Sequence, residues 1–244
     1  DPAPKFYPPS LSDAEIQAIK DQGLPERGQV QKRIEKILHD SRNEFMPRAG
    51  LGTLIIDWEV SQLPHIDLKK YHQLRIQYEG FVKELKAYAL FLKNEEKLSE
   101  VVVYERVAAL IRERYTGEYF RHRRNLIDYL DSKEGNCDAR TRTTWALMSD
   151  AQVPVPKGMR AAVEVFDNHV QPVLLSVENH KVWDLVADTE AKLYGDAYRP
   201  HILLHGMLSF FTIPERNEEY FLLASTKEPL KKDPREPINL GLDI

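Results

Sequence analysis

Apolar residues first follow a helical rhythm along the chain and later change to a shorter, strand-like one. Residues 1–10 carry Pro2, Pro4, Pro8 and Pro9 and read as an extended tail. Ser12 with Glu15 fits a capping box, so a helix is predicted to begin near Asp13 and to stop by Gly23 and Pro25. A second helix follows, with Val30, Ile34, Ile37 and Leu38 on one face. Gly50-Leu51-Gly52 reads as a loop and Thr53 to Trp58 as a short strand. The strongest helix runs from about Leu68 to Leu92, where Leu74, Tyr78, Phe81, Leu85, Tyr88 and Leu92 form a core-facing stripe. Another spans Val101 to Tyr115, with Val103, Val107, Leu110 and Ile111 inward, and Gly117 breaks it.

The texture changes from Gly135 onward. Cys137 to Ser149 is predicted as a helix that Pro154 and Pro156 terminate. Met159 to Phe166, Asn168 to Ser176 and Val182 to Ala187 read as strands, the last two joined by the polar turn Glu178-Asn179-His180-Lys181. The tail from Glu228 is charged and proline-rich. Four segments result: an extended tail over 1–10, a mainly helical region over 11–95, a core over 96–227 and a C-terminal tail over 228–244.

Composition narrows the function classes. The 244 residues are 42% hydrophobic and 30% charged, and Lys plus Arg number 34 against 38 Asp plus Glu, a formal charge of −4. That balance argues against a dedicated nucleic-acid binder. No apolar run approaches the roughly 20 residues that span a bilayer. A single cysteine allows no internal disulfide and no multi-cysteine metal site. The opening Asp1-Pro2-Ala3-Pro4 looks like a spacer after a processing site, which points to an exported protein.

Cys137 follows Gly135-Asn136 at a predicted helix start. Free N–H groups and the macrodipole there favour thiolate over thiol, and the same N–H groups can stabilise an oxyanion. His169, at the start of a predicted strand, is the candidate base, and a later aspartate would hold its imidazole. With Asn179-His180 as the turn centre, Glu178 pairs with Lys181 and His169 falls opposite Glu190. Asp188 then lies nearer the histidine than Asp184, which stays as the alternative. Arg121, Arg123 and Arg124 form a basic cluster, either a solvated face or a docking site for a carboxylate or phosphate. His201 and His205 are four apart, but no His-Glu-x-x-His arrangement surrounds them, so no metal is expected there.

Gly135-Asn136-Cys137-Asp138-Ala139-Arg140, with Trp145-Ala146-Leu147-Met148 and Val153-Pro154, resembles the nucleophile helix of the transglutaminase-like superfamily. His169 with Val173-Leu174-Leu175 resembles its histidine strand, and Trp183 to Asp188-Thr189 its acidic strand. The resemblance covers roughly residues 100–190. It implies an α+β fold, a papain-like core with the nucleophile helix packed on an antiparallel sheet, here carrying an N-terminal helical extension. It also implies a Cys137-His169-Asp188 triad acting through a thioester on protein or peptide amides, without metal or cofactor. Peptidase, deamidase and transamidase activities all fit, and cell-wall peptide is one candidate substrate. A catalytically inactive module, presenting the 68–92 helix and the basic cluster to a partner, is the competing expectation.

Overall fold

The computed structural model describes residues 5–41, 50–115, 125–166, 169–176, 182–184, 201–203, 210–213 and 218–221. Seven helices come first: α1 (Asp13–Lys20), α2 (Arg27–Ser41), α3 (Leu51–Ser61), α4 (Leu68–Asn94), α5 (Glu100–Arg114), α6 (Leu126–Ser132) and α7 (Cys137–Asp150). Strands β1 (Met159–Phe166), β2 (His169–Ser176), β3 (Val182–Asp184), β4 (His201–Leu203), β5 (Phe210–Ile213) and β6 (Glu218–Phe221) follow. Their backbones pair antiparallel, in the order β3-β2-β1-β4 with β5-β6 apart.

The α+β, papain-like expectation is corrected: the body of the protein is a helical bundle. Its buried aliphatic, aromatic and sulfur side chains run from Ile19 to Val153, through all seven helices and the loop after α7. Among the described side chains, the strands add Met159 at the margin and a buried Pro172. The region read as an N-terminal extension therefore supplies much of the core. The physical reason lies in α7, which buries Ala139, Thr141, Thr143, Thr144, Trp145, Ala146, Leu147 and Met148 all round its axis. A helix buried on every side needs neighbours on every side. Helices α3, α4, α5 and α6 pack around it, and the backbone of β2 runs alongside.

The stretch read as the Thr53–Trp58 strand is α3, a second correction. Leu51 to Val60 are buried apart from the half-buried Thr53, so the apolar run has no readable period. What makes it helical is a cap from elsewhere. The Asp150 carboxylate, at the end of α7, accepts from the N–H groups of Gly50 (2.9 Å), Leu51 (2.8 Å) and Gly52 (3.0 Å), three donors a helix start leaves unpaired. The Tyr78 hydroxyl donates to the same carboxylate at 2.8 Å. Burial pushes the Asp150 carboxyl up, and the four donors pull it back. Gly52 leaves room for this arrangement, since a Cβ there would sit 1.8 Å from the Tyr78 oxygen.

Helix α3 also carries two buried acids, each answered by a partner. Asp57 accepts from Tyr71 Oη (2.8 Å) and Arg75 (3.3 Å) on α4 and from Arg33 (2.8 Å) on α2. Arg75 further donates to Gln22, in the α1–α2 link, and to Glu79. Burial, with Asp57 adding to it, raises the Tyr71 hydroxyl to about 12, so it stays a donor. Four segments are locked around the Asp57–Arg75 pair, an arrangement in which every charge has its counterpart.

The expectations for α1 and α4 hold. Ser12 and Glu15 form the capping box, with Lys83 reaching Glu15 at 2.7 Å. On α4, Leu74, Tyr78, Phe81, Leu85 and Leu92 are buried as the stripe requires. Tyr88 is half-buried and takes the ring of Phe6 at a 5.0 Å centroid distance. Val30 and Ile34 of α2 are buried; the side chains of Ile37 and Leu38 lie outside the described residues. No helix among the described residues is long and apolar enough to cross a membrane.

Replacing Asp150 by alanine leaves three backbone donors and one hydroxyl unanswered. We expect a loss of about 3 kcal/mol in chemical denaturation, given roughly 1–3 kcal/mol per orphaned buried donor partly relieved by entering water. Asp150→Asn, which keeps one acceptor oxygen, should lose less. An alanine variant as stable as the parent would remove the cap from its central role.

Candidate thiol site at the start of α7

The turn that delivers Cys137 is built by five residues. Lys133 ends α6 in the left-handed region (φ 61°), and its N–H returns to the Tyr129 carbonyl at 3.0 Å. The Ser132 hydroxyl accepts from the Glu134 N–H. Gly135 comes next, where a Cβ would lie 2.9 Å from both Tyr129 Cδ2 and Ala139 Cβ, so only glycine lets α6 and α7 approach this closely. Asn136 is the N-cap, its side-chain oxygen accepting from the Ala139 N–H at 3.1 Å. Its carbonyl accepts from Arg140 at 3.1 Å and starts the helical ladder. Cys137 is therefore the first residue of α7, as its Gly-Asn lead-in predicts.

The surroundings are mainly apolar. Cys137 is 6% exposed and belongs to the hydrophobic core, with Thr141 buried one turn later. Tyr129, which wedges against Gly135, stacks on Tyr115 at 5.2 Å and donates its hydroxyl to the Tyr115 carbonyl.

A second buried acid locks α7 to its neighbours. Glu59 of α3 accepts from the N–H groups of Leu126 and Ile127, both at 2.9 Å, and so caps α6. It also accepts from Arg142 Nη1 of α7 at 2.8 Å. Burial raises its carboxyl, while the Arg142 cation and the two N–H groups act in the opposite sense. Through this one side chain α3, α6 and α7 share a junction five residues beyond Cys137.

The other expected site residues fall as follows. His169 is the first residue of β2, paired with Phe166 of β1, and β2 is the strand alongside α7. Asp184 is the last residue of β3, opposite Val173. The hairpin register differs from the expected one: Leu175 faces Val182, a two-residue shift from a ladder in which Glu178 meets Lys181. Asp184 thus sits four residues along β2 from His169, about 13 Å at ~3.3 Å per residue, and the ladder does not bring the two together. Asp188, Arg121, Arg123 and Arg124 lie outside the described residues. His201 begins β4, His205 lies outside the described residues, and the described residues contain no cluster of three metal-ligating side chains.

Comparison with protein-family models, curated proteins and solved structures finds no match. The thiol site accordingly rests on its own geometry.

Sequence reasoning missed Asp57, Glu59, Arg142 and Asp150, the polar groups that position the elements of the site. One signal was legible: Asp57 and Glu59 interrupt the apolar run Leu54-Ile55-Ile56-Asp57-Trp58-Glu59-Val60, and buried acids in such a run require partners.

Two substitutions test the local construction. Asn136→Ala should cost about 1 kcal/mol, the usual value of a lost N-cap. Gly135→Ala should cost more, about 2 kcal/mol, because α6 and α7 must separate to admit the methyl group. Thermal denaturation checks the order; a neutral Gly135→Ala would show that the two helices have slack.

Proposed function

We propose that the chain acts as a thiol-dependent hydrolase or acyl transferase on amide bonds, with Cys137 as nucleophile. The observation that carries this reading is the placement of Cys137 at the first position of a capped helix, beside the strand that His169 begins. First-turn N–H groups and the helix dipole lower the cost of an anionic sulfur and of an oxyanion.

In this scheme the Cys137 thiolate attacks the carbonyl carbon of a protein or peptide amide. The tetrahedral intermediate breaks its C–N bond, and the nitrogen leaves with a proton from His169. Water, or a second amine, attacks the thioester and gives a proton to His169, and the sulfur departs as thiolate. Asp188 is the group we assign to orient the imidazole, with Asp184 as the alternative. The chemistry calls for no metal or cofactor. Arg121, Arg123 and Arg124 are candidates for substrate carboxylates. Cell-wall peptide is one candidate substrate class.

The competing reading is a non-catalytic interaction module, and one observation favours it: Cys137 is 6% exposed within an apolar cluster. Iodoacetamide alkylation, followed against pH on the native chain, separates the two. An enzyme thiol should react fast at pH 6–7, well below the unperturbed value of about 8.5. A rate that stays negligible until the chain is unfolded supports the module and rejects the enzyme. For an active chain, Cys137→Ala should abolish turnover while keeping the parent melting temperature. Mass spectrometry of treated proteins then distinguishes cleavage, deamidation and amine incorporation.

A further inference from the structure

The end of α1 and the first turns of α4 frame a groove of about 750 Å³. Lys20 lines it from α1, and Leu68, Lys69, His72, Ile76 and Gln77 line it from α4. The α4 residues form two lanes at helical spacing, Leu68-His72-Ile76 and Lys69-Gln77. Leu68 is 42% exposed and Ile76 half-buried, so the floor is apolar and open. The Gln77 side chain donates to the Leu130 carbonyl at 2.7 Å, which closes one end against α6. His72 Nε2 lies 2.7 Å from the Gln22 carbonyl, which holds the ring in the wall.

The charge of this groove is one-sided. Its lining includes Lys20, Lys69 and His72 and no carboxylate. Neighbouring lysines are engaged, Lys70 by Asp131 and Lys83 by Glu15. Lys20 and Lys69 make no ion pair among the described residues. The start of α4 is capped by Asp67, whose carboxylate accepts from the Lys70 N–H at 2.7 Å and offsets the positive helix end, so the positive charge of the groove rests on the side chains of Lys20 and Lys69.

We propose that this groove docks an acidic amphipathic helix of a partner protein. Apolar side chains eight residues apart on that helix, about 12 Å at ~1.5 Å per residue, rest on Leu68 and Ile76, and its flanking carboxylates reach Lys20 and Lys69. From Leu68 to Gln77 the groove runs about 14 Å at ~1.5 Å per residue, room for two to three helical turns. A peptide fits better than an extended polyanion, because phosphate backbones need many cationic contacts and this chain carries a net charge of −4. The docking is independent of thiol chemistry, so Cys137→Ala should leave it unchanged.

The test uses the full chain and a fluorescein-labelled peptide of about 14 residues, with leucine at four-residue spacing and glutamate elsewhere. Fluorescence anisotropy should show saturable binding that weakens as salt rises, and no binding of the lysine analogue. The double variant Lys20→Glu, Lys69→Glu should bind the glutamate peptide about tenfold more weakly and gain affinity for the lysine analogue. Both positions are exposed and make no ion pair among the described residues, and circular dichroism should show an unchanged fold. Absence of binding to the parent chain overturns the proposal, as does equal binding by parent and variant. Tighter binding to phosphatidylserine vesicles or to a single-stranded oligonucleotide than to the peptide also overturns it.

Discussion

A carboxylate at the end of one helix stands in for the missing cap at the start of another, and the arrangement of the bundle depends on it. Asp150 takes the first N–H groups of α3 and the hydroxyl of Tyr78, joining α3, α4 and α7 at a buried point. Helix starts carry unpaired donors that hydrocarbon cannot accept, so an apolar helix such as α3 can be buried only if something polar goes in with it. Glu59 repeats the solution for α6, with Arg142 supplying the compensating charge. The core thus admits carboxylates where they cap helix starts, and between α3 and α4 where Asp57 meets Tyr71 and Arg75.

How much of this was legible depends on whether the signal is local. The α1 capping box, the α4 stripe and the Gly-Asn entry to α7 are written in neighbouring residues, and their elements form where expected. Helix α3 was misread because its run is apolar on all sides and its cap lies 100 residues away in sequence. The fold class was misread for a related reason. Strand-like spacing after Met159 drew attention to a sheet, whereas four helices earlier in the chain, with β2 alongside, surround α7. The two-residue error in the hairpin register arose from choosing a turn centre, and an even shift leaves every side chain on its original face.

The candidate thiol occupies a position with two opposing pulls. A helix start offers N–H groups to an anion, while its surroundings offer little water to one. Neither pull is accidental: the close approach of α6 and α7 at Gly135 both creates the capped turn and closes the space around it.

The long sequence span of the Asp150 contact also bears on how the protein is made. During synthesis α3 leaves the ribosome well before Asp150 exists, and through that interval its apolar surface has neither its cap nor its central neighbour α7. The nascent chain must then carry an unsealed greasy segment for some 90 further residues, at roughly 5–20 residues per second. Chaperone capture in that interval is a natural consequence of sealing a bundle with its seventh helix.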